Sequence, residues 1–181
     1  MERPSHYLDV LLRQGEVAHE IHARLLLRVH QGNAHGLKLS CAWPDWHERP
    51  GEFGMLFRVF GSTPHLDQYV RTIAPLVRAG FVQDSVVRPV PEEVSQILFV
   101  RDRRPDKKSP SAAVRLARRA AARGEVAHGQ SASGPVTPPH FLILPSQSGS
   151  RLFRMNIRRL SHGHPARGGD GYGLGSPVPN F

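Results

Sequence analysis

Four arginines in the second half of the chain are spaced so that they share one face of a helix. At about 100° per residue they fall within an arc of about 140°, and they are Arg115, Arg118, Arg119 and Arg123. The remaining circumference carries small apolar residues, which suit close packing on a scaffold, namely Ala113, Val114, Ala117, Ala120 and Ala121. No acidic residue lies between positions 107 and 124, so these charges repel one another unless an external anion pairs with them. The pattern favours an RNA or DNA duplex, with its two rows of phosphates, over a merely solvated basic face.

Eleven histidines supply the side chain best suited to moving protons near neutral pH, but their spacing does not single one out. His30 stands at the end of a predicted helix, where the helix dipole favours the imidazolium form. It is therefore either a general base or a cation that stabilises a transition state or protonates a leaving oxygen. The pairs His19/His22 and His162/His164 are spaced as metal ligands can be. No cluster of cysteines or carboxylates accompanies them, so neither a metal site nor a cofactor is predicted.

Two further polar features lie in predicted turns towards the C-terminal end. Ser146 and Ser148 stand in a Ser-Gln-Ser-Gly stretch between two predicted strands. No Gly-x-Ser-x-Gly elbow surrounds them, so a hydrolase nucleophile is not expected. Tyr172 is flanked by glycines, which place a rigid ring on a backbone with conformational freedom. A plain turn and a loosely packed tail are the alternatives for these two stretches.

The strands and helices that must position these residues are predicted from the spacing of apolar residues. Over residues 1–90 this spacing predicts the order β-α-β-β-α-β. The predicted elements are a strand at 7–12, a helix at 16–31 stopped by Gly32, strands at 37–43 and 55–59, a helix at 63–80, and a strand at 81–90. Pro75 is expected to kink or divide the second helix. This order is typical of the ferredoxin-like fold, which by itself specifies no function.

Beyond residue 90 the pattern is less regular. An extended segment is predicted at 94–100, a helix at 109–123 and a strand pair at 140–144 and 151–160, whereas the last 21 residues show neither period. We therefore predict an α+β chain with a ferredoxin-like domain at 1–90, a linker at 91–108, and a smaller domain at 109–181. The smaller domain contains the arginine helix, the strand pair and a C-terminal tail.

The net charge of +9 is unevenly distributed along the 181 residues. The first 100 residues hold 10 basic and 11 acidic side chains, so the whole positive excess lies after residue 100. This distribution is typical of a scaffold followed by a region that binds a polyanion. The single cysteine, Cys41, excludes an internal disulfide framework and a cysteine-based zinc site. No apolar run approaches the roughly 18 residues of a membrane span, and no apolar leader is present, so we expect a soluble cytoplasmic protein.

Short motifs along nearly the whole chain are similar to those of one known family. They are His-Tyr-Leu-Asp-Val at 6–10, Val-His-Gln at 29–31, the arginine helix around 115–119, Ser-Gln-Ser-Gly at 146–149, Arg-Leu-Phe-Arg at 151–154, and Tyr-Gly-Leu-Gly at 172–175 before a Pro-Asn-Phe ending. In these motifs the chain resembles the CRISPR-associated endoribonucleases of the type I-F (Ypest) system, which process precursor CRISPR RNA. The resemblance implies binding of the repeat hairpin by the smaller domain and cleavage at the 3′ base of its stem without a metal. It also implies that the protein stays on the mature CRISPR RNA and joins the other subunits of the surveillance complex.

By position, the resemblance implies a catalytic group of four residues. His30 resembles the family's catalytic histidine, and Tyr172 resembles the tyrosine that orients it. Ser146 resembles the serine that holds the attacking ribose 2′-hydroxyl, and Ser148 resembles a second serine nearby.

The resemblance also implies a set of RNA-binding residues. Arg115 and Arg119 resemble arginines that enter the RNA major groove, with Arg118 and Arg123 on the same helix face. Phe153 resembles the aromatic residue that stacks beneath the last base pair. The family also has an arginine and a glutamine in the linker that read bases. Either Arg101 with Arg103 or Gln96 takes this role, and the choice stays open because the alignment slips through 96–108.

The chain departs from the family pattern in a few places. Ala120 stands where the family often has histidine, and residues 124–139 and 161–170 do not match clearly. These departures leave two alternatives open: a non-catalytic subunit that binds the RNA hairpin, and a general basic RNA-binding protein.

Overall fold

The computed structural model describes residues 4–13, 17–103, 110–123, 140–146, 151–161 and 170–181, which form an α+β fold. In chain order the elements are β1 (His6–Leu11), α1 (Ala18–Ala34), β2 (Ser40–Ala42), β3 (Leu56–Gly61), α2 (Thr63–Arg78), β4 (Val87–Pro89), β5 (Ser95–Arg101), α3 (Pro110–Ala122), β6 (His140–Pro145), β7 (Leu152–Leu160) and β8 (Pro177–Asn180). Within these ranges no helix is long and apolar enough to cross a membrane.

The first sheet has the strand order β2-β3-β1-β4 and is antiparallel throughout. The alternation predicted from the sequence is present in its two central strands, where Leu8 and Val10 lie opposite Val59 and Phe57 and all four are fully buried. β4 occupies only part of the predicted strand at 81–90. The order of elements and the order of strands are compatible with the ferredoxin-like arrangement.

A second antiparallel sheet has the strand order β6-β7-β5-β8. The predicted strand pair forms β6 and β7, and the extended segment predicted after residue 90 forms β5. The expectation that the last 21 residues contain no strand was wrong, because Pro177–Asn180 pair with β5. Two prolines in this segment hide the strand from a periodicity argument. They are tolerated because β8 is an edge strand, where a missing N–H costs no ladder bond.

Two helix boundaries also differ from the sequence prediction. α1 continues through Gly32 to Ala34. The glycine there serves close packing rather than termination, since a Cβ at Gly32 would lie 2.9 Å from Cδ1 of Leu37. α2 is not divided at Pro75. The proline lies near the end of the helix, where its carbonyl still accepts the N–H of Ala79 at 3.0 Å.

Aromatic side chains join the two sheets into one apolar core. Phe99 of β5 packs against Trp43 and Trp46, with ring centroids 5.3 and 5.4 Å apart. Trp46 in turn stacks on His140 of β6 at 3.7 Å. Burial of one such aromatic side chain contributes about 1.5–3 kcal/mol. The two sheets therefore stabilise each other.

Arg58 of β3 anchors the end of the chain to the first sheet. Its Nε and Nη2 donate to the two carboxylate oxygens of Asp9 at 2.6 and 2.9 Å, and its Nη1 donates to the carbonyl oxygen of Phe181 at 2.7 Å. The guanidinium also lies over the rings of Tyr7 and Phe181, 4.7 and 4.1 Å from their centroids. Because Arg58 is only 6% exposed, this charge is stable only with its partners in place. β8 is thus held at both its ladder and its C-terminal end.

The arginine helix is formed as predicted, but the described side chains of its apolar side are exposed. Val114 is 68% exposed, and Ala117 and Ala121 are exposed as well. The expected contact with a scaffold was therefore wrong for these side chains. Alanine side chains offer little apolar area, so their burial would return little free energy.

His22 of α1 is fully buried in an aromatic cluster. The indole N–H of Trp43 donates to its Nδ1 at 3.3 Å, so Nε2 carries the hydrogen and donates to the carbonyl of Gly54 at 3.0 Å. Burial is the main cause that lowers the pKa of His22 from 6.5 to about 4. Both nitrogens are engaged, so His22 is not available as a ligand beside His19.

This buried histidine predicts loss of stability in acid. The folded state holds His22 neutral, with its pKa lowered from 6.5 to about 4, so the unfolded state binds the proton more readily between these pH values. The contribution of His22 to the free energy of unfolding is fully present above about pH 6.5, and it falls by about 3 kcal/mol as the pH drops to about 4. Urea unfolding as a function of pH measures it. His22→Gln should flatten the profile, whereas the exposed control His47→Gln should not; equal slopes in all three proteins would contradict the assignment.

Candidate active site

His30 of α1 and Tyr172 form a stacked pair. Their ring centroids are 3.9 Å apart and their planes differ by 9°. His30 lies four residues before the end of α1, and Tyr172 lies in the loop that leads into β8. The two side chains come from opposite ends of the sequence and are only partly exposed. The structure thus brings together two of the residues predicted to form the catalytic group.

The loop that carries Tyr172 is closed by backbone hydrogen bonds. Asp170 donates its N–H to the carbonyl of Leu174 at 2.7 Å, and Gly173 donates to the carbonyl of Asp170 at 3.0 Å. Gly173 has φ +74°, a conformation that strains other residues, and its carbonyl accepts the N–H of Cys41 in β2 at 3.2 Å. The loop is therefore tight, and it is fastened to the edge of the first sheet.

The two nitrogens of His30 have different surroundings. Nδ1 is buried and, among the described residues, has no hydrogen-bond partner. A Cβ at Gly171 would lie 2.9 Å from Nδ1, so the loop backbone lies close to this nitrogen. Nδ1 is therefore closed to a substrate, which leaves Nε2 as the ring nitrogen for exchange of a proton with one.

Arg101, at the end of β5, adds a positive charge to this group. Its guanidinium lies 5.6 Å from the ring centroid of Phe153, so the structure places these two predicted RNA-binding residues together. Arg101 also interacts electrostatically with Tyr172 and Asp170. Burial raises the pKa of the Tyr172 phenol, the Arg101 charge opposes this, and Asp170 adds to it. Tyr172 is accordingly a hydrogen-bond donor near neutral pH.

Ser146 follows directly after β6, at the end of the β6–β7 ladder. Its N–H donates to the carbonyl of Arg151 at 2.8 Å, and its side chain is partly buried. Leu144, two residues earlier, lies opposite Phe153 in the same ladder. Ser146 therefore shares one end of the second sheet with Phe153. Ser148 lies outside the described residues.

The other predicted RNA-binding residues lie in two places. Arg115, Arg118 and Arg119 are exposed on α3, and Arg123 is exposed directly after its last residue. Arg103 is exposed two residues after β5. Gln96 is near the other end of β5, opposite Pro179, and an offset of five residues puts its side chain on the other face of the strand from Arg101. The electrostatic interaction of Arg101 with Tyr172 and Asp170 favours the option with Arg101 for the linker.

The Cas_Csy4 family of CRISPR-associated proteins matches residues 7–181, which is nearly the whole chain. The chain belongs to this family. It is a type I-F pre-crRNA processing protein, as the motifs predict, and the Cas_Csy4 family is one of CRISPR RNA-processing endoribonucleases. No curated protein matches the chain significantly.

Two residues of this Cas_Csy4 site were missed by sequence reasoning. Gly171 covers His30, and Asp170 closes the loop that carries Tyr172. Both belong to the Gly-Gly-Asp-Gly run at 168–171, which sequence patterns do not connect with function because no helix follows it, as a phosphate-binding loop requires. The available signal was the glycine immediately before Tyr172, which indicates a close approach of the backbone to another group.

The cover over His30 predicts the effect of a single methyl group. Gly171→Ala places a Cβ 2.9 Å from Nδ1 and 3.1 Å from Cε1 of His30, so the imidazole must move. We expect the rate of repeat-RNA cleavage to fall about 100-fold, because displacement of a reacting group by about 1 Å has this cost. Thermal unfolding and RNA affinity should change little. If Gly171→Ala cleaved at the wild-type rate, Gly171 would not define the position of the imidazole.

Proposed function

We propose that this protein is a metal-independent endoribonuclease that binds the CRISPR repeat hairpin and cleaves precursor CRISPR RNA at the 3′ base of the stem. It then remains bound to the mature CRISPR RNA as part of the type I-F surveillance complex. The observation that carries the proposal is the stacking of Tyr172 on His30, 3.9 Å between ring centroids, which fixes the orientation of the imidazole ring. Family membership over residues 7–181 supports the substrate class.

The reaction that this group supports is attack by a ribose 2′-hydroxyl on its own phosphate. The 2′-oxygen loses its proton and forms a bond to phosphorus, while the bond from phosphorus to the 5′-oxygen of the next nucleotide breaks and that oxygen gains a proton. The products are a 2′,3′-cyclic phosphate and a 5′-hydroxyl. We assign Ser146 to hold the 2′-hydroxyl, with Ser148 beside it, and His30 to exchange the proton through Nε2.

Positive charge near the reacting phosphate is the second requirement of this chemistry. A phosphorane carries more negative charge than the phosphodiester from which it forms, so a fixed cation stabilises the transition state. Arg101 is the cation whose charge reaches the loop of Tyr172. Its guanidinium also lies over the Phe153 ring, so the residue assigned to stack beneath the last base pair of the stem is close to this cation. We therefore assign Arg101, with Arg103 two residues further along the chain, to link recognition of the stem to the cleavage site.

The exposed arginines of α3 are assigned to the stem itself. Side chains at 115, 118, 119 and 123 project from one helix face into solvent, without competing acidic residues on the helix. Long guanidinium side chains can reach the phosphates that border the deep major groove of an RNA duplex. A free energy of binding drawn largely from such contacts depends strongly on salt concentration.

Cleavage in the presence of a chelator tests the reaction. Incubation of the protein with its cognate repeat RNA in EDTA should produce one cut at the 3′ base of the stem, with a 2′,3′-cyclic phosphate on the upstream fragment. His30→Ala and Ser146→Ala should abolish cutting and leave RNA affinity nearly intact, whereas the exposed control His47→Ala should cut normally. A strict requirement for Mg²⁺ would contradict the proposed mechanism. Tight binding of an intact repeat with no cut would instead support a non-catalytic hairpin-binding subunit.

The arginine helix predicts a second, separable effect. Arg115→Ala and Arg119→Ala should each weaken hairpin binding by about 1–3 kcal/mol and make the dependence of log Kd on log salt shallower by about one. Arg78→Ala, an exposed arginine in the last turn of α2, is the matched control and should change neither quantity. Equal affinity of the wild-type protein for an unrelated hairpin would indicate general RNA binding instead.

A further inference from the structure

The carboxylate of Asp170 holds the loop that carries Tyr172. Its Oδ1 accepts the N–H of Tyr172 at 2.9 Å and the N–H of Leu174 at 3.0 Å. One carboxylate oxygen thus satisfies two backbone donors on either side of Gly173. Hydrogen bonds from N–H groups to an ionised acceptor are about twice as strong as those to a neutral one.

The loop also has contacts with α1 and β2 that do not involve the N–H groups of Tyr172 and Leu174. The carbonyl of Gly173 accepts the N–H of Cys41, and the carbonyl of Tyr172 accepts its thiol at 3.5 Å. The amide of Asn33 in α1 donates to the carbonyl of Gly171 at 3.3 Å. All three contacts use loop carbonyls. The N–H groups of Tyr172 and Leu174 are bonded by the carboxylate of Asp170 instead.

The charges around Asp170 belong to the same group of residues. His30 of α1 and Arg101 of β5 interact favourably with its carboxylate, whereas the phenol of Tyr172 and the thiol of Cys41 in β2 are neutral neighbours whose ionisation it opposes. Partial loss of solvent raises the pKa of Asp170, and the hydrogen bonds from Leu174 and Tyr172 together with the Coulombic interactions with Arg101 and His30 lower it. The carboxylate therefore has partners on α1, β5 and its own loop.

We propose that Asp170 is a positioning residue of this site: by holding the N–H groups of Tyr172 and Leu174 it keeps the Tyr172 ring stacked on His30, and thereby keeps Nε2 directed at the substrate. This role rests on the proposed endoribonuclease function, but the geometry it explains exists without substrate. Asp170 itself does not touch the reacting atoms. Its loss is expected to affect cleavage far more than RNA binding.

Two substitutions separate the hydrogen bonds of Asp170 from its charge. Asp170→Ala removes both, and we expect single-turnover cleavage of the repeat RNA to fall about 100-fold. Asp170→Asn retains an oxygen that accepts the same two N–H groups, so it should recover cleavage to within about tenfold of wild type. Asp84→Ala is the matched control, since Asp84 also accepts a nearby N–H, that of Ser85 at 3.0 Å, in an exposed loop away from the site. It should cleave normally.

A double substitution distinguishes positioning from general stability. If Asp170 acts through Tyr172, then Asp170→Ala in a Tyr172→Ala protein should lower the cleavage rate no further. Losses that simply multiply would overturn the proposal, as would wild-type cleavage by Asp170→Ala. No recovery in Asp170→Asn would also overturn it, because the charge rather than the hydrogen bonds would then be responsible.

A spectroscopic measurement tests the geometry without any reaction. Protons of the His30 ring lie over the face of Tyr172 and are shielded by it, so their NMR signals are shifted upfield in the wild-type protein. Asp170→Ala should remove this shift, whereas Asp170→Asn and Asp84→Ala should retain it. An unchanged His30 shift in Asp170→Ala would overturn the proposal. If the wild-type protein fails to cleave yet these shifts behave as expected, the proposed function fails and the positioning role of Asp170 stands.

Discussion

The stacking of the Tyr172 ring on His30 sets a condition that the rest of the fold must meet. The two ring centroids are 3.9 Å apart, so the last part of the chain must lie next to the first helix. The return is made by β8, which pairs with β5, and by Arg58, which holds the carbonyl of Phe181. Both attachments belong to the fold rather than to the site.

The strongest interactions are therefore located away from the place where chemistry is proposed. Trp43, Trp46 and Phe99 provide the apolar contact between the sheets, and Arg58 with Asp9 provides a buried ion pair. These are rigid and well partnered. The site is held by a short loop with a few hydrogen bonds, and within the described part of the chain Nδ1 of His30 is buried without a partner. A site on a rigid scaffold can tolerate such a local cost, which is of the order of 1–3 kcal/mol for an unsatisfied buried polar atom.

The arginine helix differs from the core because its described side chains are exposed. Its described side chains are exposed on both the basic and the apolar sides, so it adds little to the core and offers its charge to solvent. The positive excess of the chain lies after residue 100, whereas most of the apolar core comes from earlier residues. Stability and charge-based recognition are thus assigned to different parts of one chain. Under the proposed function, the phosphates of the RNA stem are the counter-charges of this helix.

The sequence by itself determined the alternation of strands and helices over the first 90 residues, because the burial of Leu8, Val10 and their neighbours follows a local period of two. It also determined the basic helix face, which depends only on the spacing of four arginines, and it indicated His30 and Tyr172 through motifs shared with one family. The stacking of the two rings, the closeness of Gly171 to His30 and the electrostatic interaction of Arg101 with the Tyr172 loop are seen only in the tertiary structure, because each joins segments distant in sequence. Asp170 is close to Tyr172 in sequence, but its two hydrogen bonds depend on the conformation of the loop, which no helical or strand period predicts. Gly32 and the prolines of β8 are further cases in which local preference was not sufficient. Their preferences predicted the end of a helix and the absence of a strand, but packing and strand pairing with other parts of the chain gave a continuous helix and an edge strand.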